Sequence, residues 1–283
     1  ADGLATGSLS DIVADDKGNV WIGMHTNRWT GEPSRPRNGG LTRIGPDGSI
    51  RTYGVADGWQ SQSVYGMASD REGGLWFSYL NVTGETLSPG VSHLAADGTL
   101  TTESVADGLP TNDVRVWAVD LDGSVYVIPF EYADYDSGRG TYRRDSDGVW
   151  QRFTLPVESE FDSDWVSMVS IDDAGTRWFV IMEFGLAVRI QPDGSWDVQP
   201  TRDWANNPQP DLSAKAEEVL SGYPTLAFGP DGSTWFGSEW SVGGLLRLGP
   251  NDRWYLYEAP DGNAPLSVSA IERDMAGHVW MAA

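Results

Sequence analysis

A seven-residue pattern returns six times along this 283-residue chain, and it leaves few folds open. Asp15-Asp-Lys-Gly-Asn-Val-Trp21, Asp70-Arg-Glu-Gly-Gly-Leu-Trp76 and Asp120-Leu-Asp-Gly-Ser-Val-Tyr126 share it. So do Asp172-Asp-Ala-Gly-Thr-Arg-Trp178, Gly229-Pro-Asp-Gly-Ser-Thr-Trp235 and Asp274-Met-Ala-Gly-His-Val-Trp280. Each copy has Gly three residues before an aromatic, and five have Asp six residues before it. The aromatics lie 55, 50, 52, 57 and 45 residues apart. A fixed period of this size means one supersecondary unit stacked repeatedly on itself.

A second signature follows each first one. Gly40-Leu-Thr-Arg43-Ile-Gly-Pro-Asp47-Gly48 is the fullest copy, and Gly90-Val-Ser-His93-Leu-Ala-Ala-Asp97-Gly98 puts His in the Arg position. Arg143 with Asp147-Gly148, and Arg189 with Asp193-Gly194, keep the offset, and Arg247 precedes the altered turn Asn251-Asp252. A third element joins units: Ala1-Asp-Gly-Leu4, Ala56-Asp-Gly-Trp59, Ala106-Asp-Gly-Leu109 and Pro260-Asp-Gly262.

One unit reads as four short strands. Ser63–Ser69 runs into an Asp-x-x-Gly turn, where Gly takes positive φ and Asp bonds the turn backbone. Leu75–Tyr79 follows, with a Trp large enough to fill the wedge between neighbouring sheets. Val91–Ala95 then turns through Asp-Gly, a strong hairpin signal, into the fourth strand. A helical stripe is expected only at Asp211–Leu220. Four strands per unit, repeated radially, predict an all-β chain: a β-propeller of antiparallel four-stranded blades. The units span about 1–55, 56–105, 106–156, 157–209 and 210–261, and 262–283 supplies the first two strands of a sixth. The whole chain is read as a single propeller domain. Its last sheet would show an unpaired strand edge, a liability for aggregation, so the natural protein is expected to continue by at least two strands or by a further blade, as part of a six- or seven-bladed ring.

The Asp-x-x-Gly-x-Val-Trp-Ile-Gly, Gly-Gly-Leu-x-Arg-Ile and Ala-Asp-Gly-Leu series resembles the two-component regulator propeller repeat over essentially the whole chain. That resemblance implies a bacterial sensory propeller, periplasmic or secreted, either freestanding or joined to a downstream transmembrane and kinase segment. Gly229-Pro-Asp-Gly-Ser-Thr-Trp-Phe236 is also similar to the repeat of streptogramin B lyase propellers. In that family a Glu-x-His pair and a further His carry a metal-dependent elimination, and no Glu-x-His occurs in this chain. Asp16-x-Gly18-x-Val20-Trp21 approaches the sialidase Asp-box. A sialidase needs an arginine triad and a Tyr–Glu pair, for which Arg28, Arg115, Tyr65 and Glu239 are the available residues.

Charge narrows the partners. With 41 acidic against 19 basic side chains the net charge is −22, which repels phosphate backbones and argues against nucleic acid. No apolar run approaches the roughly 20 residues of a membrane-spanning helix. The absence of cysteine removes disulfides, thiol nucleophiles and cysteine-ligated metals. Three scattered histidines make no metal site, and the Asp-x-x-Gly turns satisfy their own backbone; no metal or cofactor is expected.

Recognition is expected on the loops between second and third strands and on first-strand residues facing the propeller channel. Long loops at 24–39, 79–90 and 129–140 mix aromatic with charged groups, which suits a small polar or glycan-like ligand. They nominate His25, Arg28, Trp29, Tyr79, Glu131 and Tyr132, and the corresponding loop of the fifth unit adds Glu239 and Trp240. Positions five and seven before each turn Asp share one face of the first strand and nominate Tyr65, Arg115, Asp113 and Trp165. The sequence thus predicts an extracytoplasmic ligand-binding or sensory module. A propeller lyase or glycoside hydrolase at the same face, and a protein-interaction scaffold, stand as alternatives.

Overall fold

The computed structural model describes all residues except 1–7, 26–39, 55–56, 58, 60–62, 80–87, 131–139, 158–165, 201–208, 223, 239–244, 258–266, 269, 274–276 and 283. The chain packs into two compact units, Ala1–Thr154 and Leu155–Ala283.

The first unit holds three blades: β1 (Ser8–Ala14), β2 (Val20–His25), β3 (Gly40–Ile44) and β4 (Ile50–Tyr53); β5 (Val64–Ser69), β6 (Leu75–Tyr79), β7 (Val91–Leu94) and β8 (Leu100–Glu103); β9 (Val114–Val119), β10 (Val125–Pro129), β11 (Thr141–Arg144) and β12 (Trp150–Phe153). The second holds β13 (Val166–Ile171), β14 (Arg177–Ile181), β15 (Leu186–Ile190) and β16 (Trp196–Gln199), then helix α1 (Pro210–Leu220). A fifth blade follows, of β17 (Pro224–Phe228), β18 (Thr234–Ser238), β19 (Leu245–Leu248) and β20 (Trp254–Tyr257). A two-stranded sheet of β21 (Ala270–Arg273) and β22 (Val279–Ala282) ends the chain. Every sheet is an antiparallel meander in chain order, as the repeat predicts: five complete blades and two strands of a sixth.

The repeated residues hold together the turn end of each blade. All six repeat glycines have φ between 78° and 88°, a region that side chains with a Cβ avoid. In the first blade Asp15 accepts from the amides of Lys17 (3.0 Å) and Asn19 (2.9 Å), the Asn19 side chain (2.8 Å) and the Trp21 indole (2.9 Å). Burial opposes the charge on Asp15, but these hydrogen bonds outweigh it and hold the carboxyl below its ordinary range.

The second signature completes the arrangement, because the third-strand cation pairs directly across from the second-strand aromatic. Trp21 opposes Arg43, Trp76 opposes His93, Tyr126 opposes Arg143, Trp178 opposes Arg189 and Trp235 opposes Arg247. The guanidinium carbons lie 5.5–6.0 Å from the ring centroids, within cation–π range. His93 stacks on Trp76 at 4.4 Å instead. A carboxylate then fixes the cation: Asp70 on His93 (2.7 Å), Asp122 on Arg143 (2.6 Å), Asp197 and Asp252 on Arg189 (2.7 and 2.8 Å) and Asp231 on Arg247.

Neighbouring blades in the first unit share aromatic cores. Trp21, Tyr53, Trp59 and Phe77 form a run of ring contacts at 6.0, 5.9 and 4.7 Å, and truncating such a ring costs roughly 3–5 kcal/mol. Between the second and third blades, Glu103 receives Arg144 and the Trp150 indole, while Arg144 lies 5.1 Å from the Trp76 ring. The predicted helix forms as α1 in the second unit and buries Ala216, Val219 and Leu220. Gln209, just before it, uses its side-chain amide as a strand would, bonding Trp254 carbonyl (3.0 Å) and N–H (2.8 Å).

Asp15→Ala leaves the Asn19 amide and Trp21 indole without their acceptor and is expected to cost about 2–3 kcal/mol. Because the folded carboxyl titrates lower than the unfolded one, its contribution is present above the unfolded value of 3.8 and is lost as pH falls through the folded value. Urea unfolding from neutral to strongly acidic pH should show the gap between wild type and variant shrink on the acid side.

Candidate functional site

At the opposite end of the first-unit blades the same residue types meet without the turn-end pairing. The innermost strands β1, β5 and β9 lie side by side and are joined by side chains. Ser10 Oγ donates to the Val64 carbonyl (2.7 Å), and Asp11 Oδ2 accepts from the Met67 amide (2.9 Å). Ser78 Oγ donates to the Tyr65 carbonyl and accepts from the Val116 amide (3.1 Å). Each of these strands carries a register shift: around Ser10 in β1, between Val64 and Met67 in β5, and at Trp117 in β9. Such bulges re-aim side chains locally.

Arg115 sits at the centre. Its guanidinium carbon is 4.0 Å from the Trp117 ring centroid and 4.8 Å from that of Tyr65. Its hydrogen bond among the described residues runs from Nη1 to the Tyr65 hydroxyl, at 3.5 Å, and its buried Nε has no partner. No described carboxylate comes within ion-pair distance of it. Tyr65 also packs at 5.2 Å against Phe130, tilted by 46°. Gly66, at φ 77°, makes room for Arg115: a Cβ there would lie 2.6 Å from Arg115 Cγ and 2.7 Å from the Val116 carbonyl oxygen.

One acid borders this cluster, and a second lies two residues before Arg115 in the chain. Burial raises the Asp11 carboxyl above its ordinary value, against the pull of the Arg115 charge and the Met67 and Ile12 amides. Burial alone raises Asp113. A cation, aromatic faces and a partly desolvated carboxyl can hold a polar ligand by charge, stacking and hydrogen bonds together.

The expected site residues separate accordingly. Tyr65 and Arg115 come together here, while Asp113 precedes β9, two residues before Arg115 in the chain. Tyr79 lies elsewhere: it is 1 % exposed within the sheet, its hydroxyl 2.8 Å from Ser92, which continues to Thr102 at 2.7 Å. Burial pushes the Tyr79 phenol up to about 12 against the Ser92 hydrogen bond. This places it in the packing of the second blade, because its ring faces inward with Phe77. His25 is the last residue of β2. Arg28, Trp29, Glu131, Tyr132, Trp165, Glu239 and Trp240 lie outside the described residues. Trp117 and Asp11 were not anticipated. The same-face rule that selected Asp113 and Arg115 extends two residues further to Trp117, whereas Asp11 reaches its place through the irregular register of β1.

No protein-family model matches the chain, and no curated protein matches it in sequence. Solved structures do. A catalytically inactive virginiamycin B lyase from Staphylococcus aureus, determined with quinupristin, is similar at a TM-score of 0.63 and 16% identity, covering 98% of this chain and 80% of the lyase. The extracellular domain of a putative hybrid two-component system from B. thetaiotaomicron is similar at a TM-score of 0.58 and 16% identity. That match covers 99% of this chain and 39% of the other. The likeness establishes the fold: this chain is a β-propeller of four-stranded blades.

Gly66→Ala is expected to destabilise the first unit by about 2–3 kcal/mol, through positive-φ strain and the clash with Arg115. Gly98→Ala, also at positive φ but with nothing within 4 Å of the new Cβ, should cost only about 1 kcal/mol. Thermal unfolding of the two variants compares them directly.

Proposed function

We propose that this chain is an extracytoplasmic sensory or recognition module, taking a small polar or glycan-like ligand where Tyr65, Arg115 and Trp117 meet. The observation that carries this reading is the state of Arg115, a guanidinium resting on two aromatic rings with a buried N–H unused. Four other arginines on rings, Arg143, Arg144, Arg189 and Arg247, are tied down by carboxylates, whereas Arg43 over Trp21 shares with Arg115 the lack of an ion pair among the described residues. A cation kept from such pairing is suited to an external partner.

The sensory role and the location outside the cytoplasm draw support from the shared fold with extracellular domains of putative hybrid two-component systems. Among the described residues no helix is long and apolar enough to cross a membrane. In a sensor, the ligand must favour one arrangement of the propeller relative to whatever it is joined to. The lyase alternative draws on the similarity to virginiamycin B lyase. It would need a base near Arg115, and the described histidine side chains, His93 and His278, belong to the turn ends of their blades.

The test is a thermal-shift screen of the whole chain against mono- and disaccharides, followed by titration of any hit. Binding should weaken at least tenfold in both Tyr65→Ala and Trp117→Ala. A screen that moves the melting temperature of neither wild type nor variants, or a hit indifferent to both substitutions, would refute the proposal.

A further inference from the structure

The geometry points to the acidic nature of the ligand: we propose that Arg115 receives the carboxylate of a sugar acid, whose ring packs on the aromatic surface of Tyr65, Trp117 and Phe130. This rests on the recognition reading above and narrows it.

Donor geometry comes first. A guanidinium presents five N–H donors in a planar fork that matches a carboxylate in two parallel hydrogen bonds. Among the described residues Arg115 engages one acceptor, the Tyr65 hydroxyl at 3.5 Å, and no carboxylate within ion-pair distance. That is unexpected in a chain with 41 acids for 19 bases. Arg144 shows the alternative within the same unit. It too lies on a ring, at 5.1 Å from Trp76, yet Glu103 occupies its fork from 2.8–2.9 Å.

The fork is also held in place beforehand. Gly66 lets the aliphatic stem lie against β5, and the ring of Trp117 supports the guanidinium at 4.0 Å. An anchor already fixed loses little freedom on binding, which favours affinity for the anion it fits. A lysine at this position would offer a point charge without the planar match.

The surroundings suit the rest of a sugar. Tyr65 and Phe130 offer tilted apolar faces beside the guanidinium. The net charge of −22 works against long polyanions, so a single acidic unit fits better than an extended polyuronate.

The experiment follows the Trp117 indole N–H by NMR, assigned through Trp117→Phe, while the whole chain is titrated with D-glucuronate and D-galacturonate. Glucose and galactose serve as neutral counterparts, and acetate as the bare carboxylate. A uronate should shift this resonance saturably and bind at least tenfold more tightly than its neutral counterpart and than acetate. Arg115→Gln and Arg115→Lys should each lose at least tenfold in uronate affinity. The wild-type comparison of charged and neutral sugars decides the matter even if an Arg115 variant melts. Neutral sugars binding as tightly as uronates overturn the carboxylate assignment and leave the recognition reading standing. Acetate matching the uronates overturns the sugar, and full affinity in folded Arg115→Lys overturns the role of the fork. Silence of the resonance to all five probes overturns both this inference and the reading beneath it.

Discussion

The structure depends on a three-part contact at the turn end of each blade: an aromatic ring on the second strand, a cation opposite it on the third, and an acid that fixes one or both. None of the three is strong alone. A cation–π contact contributes about 0.5–2 kcal/mol, and a half-exposed ion pair often less than 1 kcal/mol. Together they fix the register of the two central strands and bring a large ring into the space between sheets. Register matters because a slip of one residue would turn the apolar face outward. The contact survives chemical variation: His93 replaces Arg by stacking flat on Trp76, and Tyr126 replaces Trp beneath Arg143.

Stabilisation concentrated at one end leaves the other end free to vary. Around Arg115 the same ingredients recur, with the carboxylate no longer matched to the cation. Ser10, Asp11 and Ser78 bind the inner strands to one another there, so the guanidinium is presented by a stiff support. This division of labour between a conserved mechanical end and a chemically variable end is how a repeated blade can carry one specialised place without weakening the repeat.

Much of this was legible in the residues. Gly three before an aromatic gave the turns, and the aligned Asp, Trp and Arg positions gave the blades, because each answers to a local requirement of backbone angle or cross-strand contact. The helix at α1 was readable from its apolar spacing. The site was only half readable. Strand alternation nominated Tyr65, Asp113, Arg115 and Trp165, of which Tyr65 and Arg115 meet, and the long loop at 79–90 nominated Tyr79. Its ring turns instead into the blade, where Ser92 takes its hydroxyl. Asp11 escaped notice because bulges shift the face a residue presents, and a bulge leaves no periodic signature.

The connector before the fifth blade has a wider consequence. The gap from Trp178 to Trp235 is the longest, at 57 residues, and it contains α1, with Gln209 bonded to Trp254 like a borrowed strand. An insertion that brings its own attachment leaves the phase of the following repeat undisturbed. For a protein engineer this marks the segment as a natural graft point, where a reporter could be spliced into the chain while the blades on either side keep their pairing.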